Sequence, residues 1–149
     1  MITKRDLLVA MLAACTTLFG ITLAQSQKPL MKSSVFDWSA VEVKPTKTGA
    51  RRDFFEAPTA TLDMLECHVT TVNPGETAHA PHQHPEEEVM VVKEGTLEVT
   101  QNGVTKRAGP GSVIFHASNE LHGTRNVGQT PATYHVIKWY SPGSLKRKG

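Results

Sequence analysis

The segment PGETAHAPHQHPEEEVMVVKEG, Pro74 to Gly95, brings three of the chain's seven histidines and a run of three glutamates up against an apolar, strand-like piece. Side chains two apart in an extended strand share a face. His82 and His84 therefore lie on one side wherever that piece is extended, and Glu88 shares its face with Met90 and Val92, while Glu86 and Glu87 fall in the preceding turn. A carboxylate that points with Met and Val into a core must be paired, protonated or bound to a metal. The segment is either a solvated hairpin rich in His and Glu or one edge of a metal site, and Glu88 is the residue that the solvated reading does not accommodate.

Around this segment the chain consists of short pieces rich in apolar and β-branched residues: VFDW, DFFEA, TLDMLECHVTTV, TLEVTQ, VTKRA, SVIFHA, HGTRNV and TYHVIKWY. Turn signals such as NPGE, QNG, GPG, NVGQTP and SPG divide them. No stretch beyond the N-terminal apolar run keeps a helical period over three turns. Many short strands with Gly-rich turns predict an all-β, antiparallel sandwich or barrel. Asn102-Gly103 in TLEVTQNGVTKRA suits a two-residue hairpin turn with positive φ at both positions.

Imidazole and carboxylate together suit Fe, Mn, Ni, Co, Cu or Zn, and His-x-His on a strand presents both rings on one side. The wider spacing resembles a known pattern. Gly75, six residues, His82-Gln83-His84, three residues, Glu88, six residues and Gly95 resemble the first motif of the cupin superfamily, and GSVIFHASNELHGTRN, with Gly111, His122 and Asn126, resembles the second. The resemblance covers about residues 62–140 and implies an antiparallel β-barrel of jelly-roll type. It also implies that His82, His84, Glu88 and His122 hold one divalent transition metal, with two open positions if the ion is octahedral. Where the second motif has proline and glycine in the family, this chain has Ala117 and Asn119, just after His116. Asn tolerates left-handed backbone geometry, so the turn is expected to survive, with some loosening of the loop that delivers His122. The faces of His68, His79, His116 and His135 stay open at this level, and none is assigned as a ligand.

A chain of 149 residues with 39% hydrophobic and 20% charged residues suits one globular domain. The net charge of +2 and scattered basic residues show no nucleic-acid footprint. Lys4 and Arg5, the apolar run from Leu7 to Leu23 and TLA before Gln25 have the order of a secretory signal over residues 1–24, followed by a tether over 25–34 and the domain over 35–149. A retained anchor is the alternative, as is a lipid at Cys15, because LAAC resembles a lipoprotein box; TKRDLL is also similar to a twin-arginine export signal. These features predict a secreted or periplasmic protein that leaves the membrane once the signal is cleaved. Cys67 is then the sole cysteine of the mature chain, so it forms no internal disulfide and is expected to pack as a small hydrophobe.

Two classes of function follow. One is a metal-dependent enzyme acting on a small organic molecule, with dioxygenase-like oxidation favoured over decarboxylation or isomerisation. That preference rests on an expected apolar pocket of Met90, Val92, Phe115 and Trp139, and on Glu76 and Glu120, the only nearby loop carboxylates, being read as solvated and not as proton-transfer groups. The other is a carrier or binding protein that holds a metal or metabolite without turnover. The resemblance further implies self-association, with a homodimer expected.

Overall fold

The computed structural model describes residues 28–141. The expected signal segment, Cys15 and the start of the tether lie outside the described residues. Residues 28–34 have no regular structure, and the Met31 amide donates to the Pro58 carbonyl at 2.8 Å.

The strands are β1 (Lys44–Thr46), β2 (Gly49–Ala57), β3 (Met64–Val72), β4 (Glu87–Glu94), β5 (Leu97–Gln101), β6 (Val104–Ala108), β7 (Val113–His116), β8 (His122–Asn126) and β9 (Ala132–Tyr140). They form a six-stranded sheet in the order β1-β2-β3-β9-β4-β7 and a three-stranded sheet in the order β6-β5-β8. Every ladder is antiparallel. The all-β, jelly-roll expectation therefore holds, but the expected closed barrel is corrected to two sheets with free edges. The break lies at Gly95, where φ is +82° and the chain turns out of the first sheet, so that β5 pairs with β6 and β8 instead of β4. A Cβ at Gly95 would lie 2.5 Å from the Ala132 Cα, so only glycine fits this corner.

Alternation along the strands builds the core. Met90 and Val92 of β4, Tyr134 and Val136 of β9, and Leu97 and Val99 of β5 are buried between the sheets. Leu97 is wholly buried, a contribution of about 2 kcal/mol from its side chain. The Asn102-Gly103 turn has the expected geometry, with φ of +47° and +81° and Gln101 facing Val104 across the hairpin.

Two local readings change. VFDW forms no strand: the Asp37 carboxylate accepts from the Ser39 amide at 2.7 Å and caps a 3₁₀ turn over Trp38–Ala40, a local bond that competes with extended pairing. β1 was hidden in the sequence by Pro45, which a strand tolerates at a sheet edge because no ladder donor is needed there. The 3₁₀ turn covers the outer face of the large sheet, with the Arg52 guanidinium and the Lys93 ammonium 4.4 and 4.2 Å from the Trp38 ring centre.

Candidate metal centre

Four elements converge at one end of the space between the sheets. His82 and His84 come from the loop between β3 and β4, Glu88 from β4, His116 from the end of β7, and His122 from the start of β8. His82 and His122 exchange backbone hydrogen bonds, each 2.9 Å, which fastens the loop to β8. Their ring centres lie 4.7 Å apart, and that of His84 lies 5.2 Å from His82 and 4.9 Å from His122. Glu88 pairs directly with His116 across β4 and β7 and with Lys138 across β4 and β9. His116 stacks on His122 at 4.1 Å.

The loop without the family's proline is held by specific bonds. Asn119 has φ +60°, its amide donates to the His84 carbonyl at 2.8 Å, and the Ser118 hydroxyl donates to the Pro85 carbonyl at 2.8 Å. The expected loosening around His122 is therefore offset by backbone contacts to the residues beside His84.

Hydrogen bonds set the ring tautomers. Nδ1 of His84 faces the Glu86 carbonyl at 3.1 Å and Nδ1 of His122 faces the Glu120 carbonyl at 2.8 Å, so both carry their proton on Nδ1 and offer the Nε2 lone pair. His116 differs. The Gln101 amide nitrogen donates to the Phe115 carbonyl at 2.6 Å and also lies 3.0 Å from Nδ1 of His116. A carbonyl only accepts, which fixes the amide orientation, so His116 accepts at Nδ1 and holds its proton on Nε2. That Nε2 lies 4.0 Å from Glu88 Oε1, whereas His84 Nε2 lies 3.5 Å from Glu88 Oε2.

Four imidazole nitrogens, Nδ1 of His82 and Nε2 of His84, His116 and His122, are buried without a hydrogen-bond partner. Unpartnered buried polar atoms are rare and call for a ligand. His82, His84 and His122 bring one ligand atom each within 4.8 Å of one another, and so do Glu88, His116 and His122. Both sets could hold a transition metal by donor chemistry. The bonds at Nδ1 leave a lone pair on Nε2 of His84 and His122, whereas the Gln101 bond makes His116 a proton donor beside them. Burial, and then the neighbouring His79, His122 and His84, push His82 down to about 4; burial, and then His122, does the same to His116. Both rings are thus neutral at neutral pH, the form a metal ligand needs.

A cavity of about 250 Å³ opens beside this cluster, lined by His82, Glu88, Met90 and His122 among others. Of the four expected wall residues, Met90 alone lines it. Val92 is buried deeper in the core, and Phe115 is 50% exposed on the opposite face of β7. Trp139 also faces away, its indole N–H donating to Glu87 at 3.0 Å. Strand parity in SVIFHA already separates Phe115 from Ile114 and His116. The wall is mixed: Ala50, Ala78, Met90 and Val136 alternate with hydroxyl-bearing Thr46, Thr48, Thr70, Thr124 and Tyr134.

The remaining histidines now have faces. His79 is exposed, with its ring edge-on to His82 at 4.1 Å. His135 lies on the outer face, 6.1 Å from Trp38. His68 is buried, lines the cavity and bonds Glu66 through Nδ1 at 2.7 Å. Sequence reasoning missed Glu66; its parity with His68 in β3 was the available signal. Cys67 is a free, half-buried thiol facing outward opposite Phe55 and Ile137, and burial, then Glu66, raises its pKa.

Residues 68–138 match the family model described as a cupin domain. Those residues form a domain of the cupin superfamily. The cupin fold is shared with KdgF from Halomonas sp., at 19% identity, covering 72% of this chain and 94% of that one with a TM-score of 0.61. It is shared with the polyketide cyclase RemF from Streptomyces resistomycificus, at 22% identity, 75% and 82% coverage and a TM-score of 0.59. A predicted oxalate decarboxylase from Thermotoga maritima gives 18% identity, 72% and 99% coverage and a TM-score of 0.58. At these identities the likeness to the cupin structures is one of fold. No curated protein sequence matches the chain.

Proposed function

We propose that this cupin domain is a metal-dependent enzyme acting on a small polar molecule outside the cytoplasm, with one divalent Fe, Mn, Ni, Co, Cu or Zn ion held by His82, His84, Glu88 and His122. The observation that carries the reading is the convergence of unpartnered buried imidazole nitrogens on Glu88 at the wall of a cavity of about 250 Å³. A divalent cation bound there supplies Lewis-acid polarisation of a substrate oxygen. His116 sets its Nε2 proton 4.0 Å from the Glu88 carboxylate, and the threonines and Tyr134 offer hydroxyl groups to a polar substrate.

The case for dioxygenase-like oxidation rests on an apolar wall and on the want of a proton-transfer group. Val92, Phe115 and Trp139 do not line the cavity, and His68 does. Proton-transfer chemistry of the isomerase or decarboxylase kind is therefore the reading placed first, with oxidation as its rival. A carrier without turnover is the outcome if metal binds and nothing is consumed.

The test is metal content of the wild-type protein and of Glu88→Gln and His122→Ala, followed by substrate and dioxygen consumption. About one metal per wild-type chain, lost in both variants, supports the centre. No metal after reconstitution with all six ions overturns it, and metal-dependent oxygen uptake restores the oxidative reading.

A further inference from the structure

His68 stands in the cavity wall apart from the metal cluster, on β3 of the opposite part of the large sheet. Its exposure is 5%, and Nδ1 lies 2.7 Å from Glu66 Oε1. Glu66 is itself clamped: the Arg51 guanidinium donates to it at 2.9 Å and the Lys138 ammonium lies 3.1 Å from its other oxygen. The hydrogen bond from His68, and then Lys138, hold the Glu66 carboxyl down to about 2 against the opposing effect of burial. An ionised carboxylate only accepts, so Nδ1 of His68 carries a proton, and in the neutral ring the lone pair is then on Nε2. No protein partner occupies that Nε2 among the described residues, and it is not among the buried unpartnered atoms. An imidazole held by a fixed carboxylate in the wall of a cavity is the arrangement of a general base.

We infer that His68, oriented by Glu66, is the proton-transfer residue of this cavity, acting on a small molecule whose reactive carbon carries a hydrogen next to a carbonyl group. The inference rests on the proposed function for the placement of substrate in the cavity. Nε2 takes the proton from that carbon; the electron pair of the broken C–H bond moves onto the carbonyl oxygen as an enolate; the resulting imidazolium returns a proton to carbon. Electrons and protons balance with no oxidant. Glu66 stabilises the imidazolium while it exists, and Lys138, 3.1 Å from Glu66 and in the same cavity wall, offers a positive charge to the developing enolate. The charged and titratable groups around His68 are Glu66 on its own strand, Arg51 and Asp53 on β2, Lys138 and Tyr134 on β9, Glu88 on β4, and His79, His82 and His122 across the cavity.

The experiment is carbon-bound hydrogen exchange into D₂O, followed by proton NMR, with dihydroxyacetone and pyruvate as probes and the metal-reconstituted full chain as catalyst. His68→Asn retains an amide donor for Glu66 and removes Nε2, and it is expected to lower the exchange rate by about 10²- to 10⁴-fold, the usual range for general acid–base catalysis. Its metal content and melting temperature should match the wild type. His68→Ala should regain part of the rate on addition of imidazole, which a structural role would not produce. Undiminished exchange in His68→Asn overturns the inference, as does the absence of exchange by the wild type with both probes. Exchange that depends on His68 in protein that binds no metal sustains the inference and removes the metal centre; bound metal without exchange does the reverse.

Discussion

Replacing Glu66 by Gln keeps the shape of the side chain and an acceptor for His68 while deleting the charge that Arg51 and Lys138 face. The Glu66 carboxyl is lowered from 4.5 to about 2, by the hydrogen bond from His68 foremost. Each pH unit of separation between the folded and unfolded values is worth about 1.4 kcal/mol, giving about 3 kcal/mol as an upper bound. Lys138, the charged partner that contributes after His68, is partly exposed and screened by water, so about 2 kcal/mol is the expected pH-dependent part. The sign follows from the depressed folded value: the stabilisation is full above pH 4.5 and is lost as pH falls towards 2. Urea unfolding of metal-free wild type and Glu66→Gln between pH 7 and 2.5 should show a stability gap that is flat above about pH 5 and narrows by about 2 kcal/mol at the acid end. His82 and His116, lowered from 6.5 to about 4, destabilise both proteins as pH falls below 6.5, and cancel in the difference. A gap that stays constant down to pH 2.5 would refute the clamped, ionised Glu66.

Metal titrations should show that His82→Ala and His84→Ala each abolish most binding, that His79→Ala does not, and that Glu88→Gln weakens binding more than Glu87→Gln. His116→Ala should reduce affinity less than His122→Ala, because the Gln101 bond places the His116 proton on the nitrogen nearest the cluster; equal losses would mean that His116 is a ligand. Cys67→Ser should leave metal content unchanged, since the thiol faces away from the cluster, and mass spectrometry of the native protein checks it. Asn126→Ala removes two donors, to the Val72 and Thr130 carbonyls, and the acceptor of the Gly128 amide at a fully buried position. The expected loss is about 3 kcal/mol in urea unfolding. Gly95→Ala should cost a similar amount, about 3 kcal/mol, from positive φ and from the 2.5 Å approach to Ala132, with the melting temperature as readout.

The spacing of His82, His84, Glu88 and His122 was legible in the sequence because a motif fixes residues close along the chain or at a set turn. The hairpin at Asn102-Gly103 and the inward face of Glu88 were legible for a related reason: turn chemistry and alternation act over a few residues. The expected apolar wall fails at Phe115 and Trp139 through strand parity, and at Val92, which has the parity of Met90, through its depth in the core. Phe115 and Trp139 are one residue away from the inward positions held by His116 and Lys138, and a single step along a strand reverses the face.

Other features depend on register between distant strands. Glu88 meets His116 from β7 and Lys138 from β9, and Glu66 meets Lys138 across β3 and β9 and Arg51 from β2. The protonation of His116 is set by Gln101, which belongs to the other sheet. By itself the sequence determined the all-β class, the turns and the histidine and glutamate spacing, because each is encoded in local alternation and backbone preference. Only the tertiary structure decided that the sheets stay open, that the cavity wall mixes hydroxyl and apolar side chains and that His68, bonded to Glu66, stands in that wall, because those properties arise where side chains remote in sequence share one buried volume.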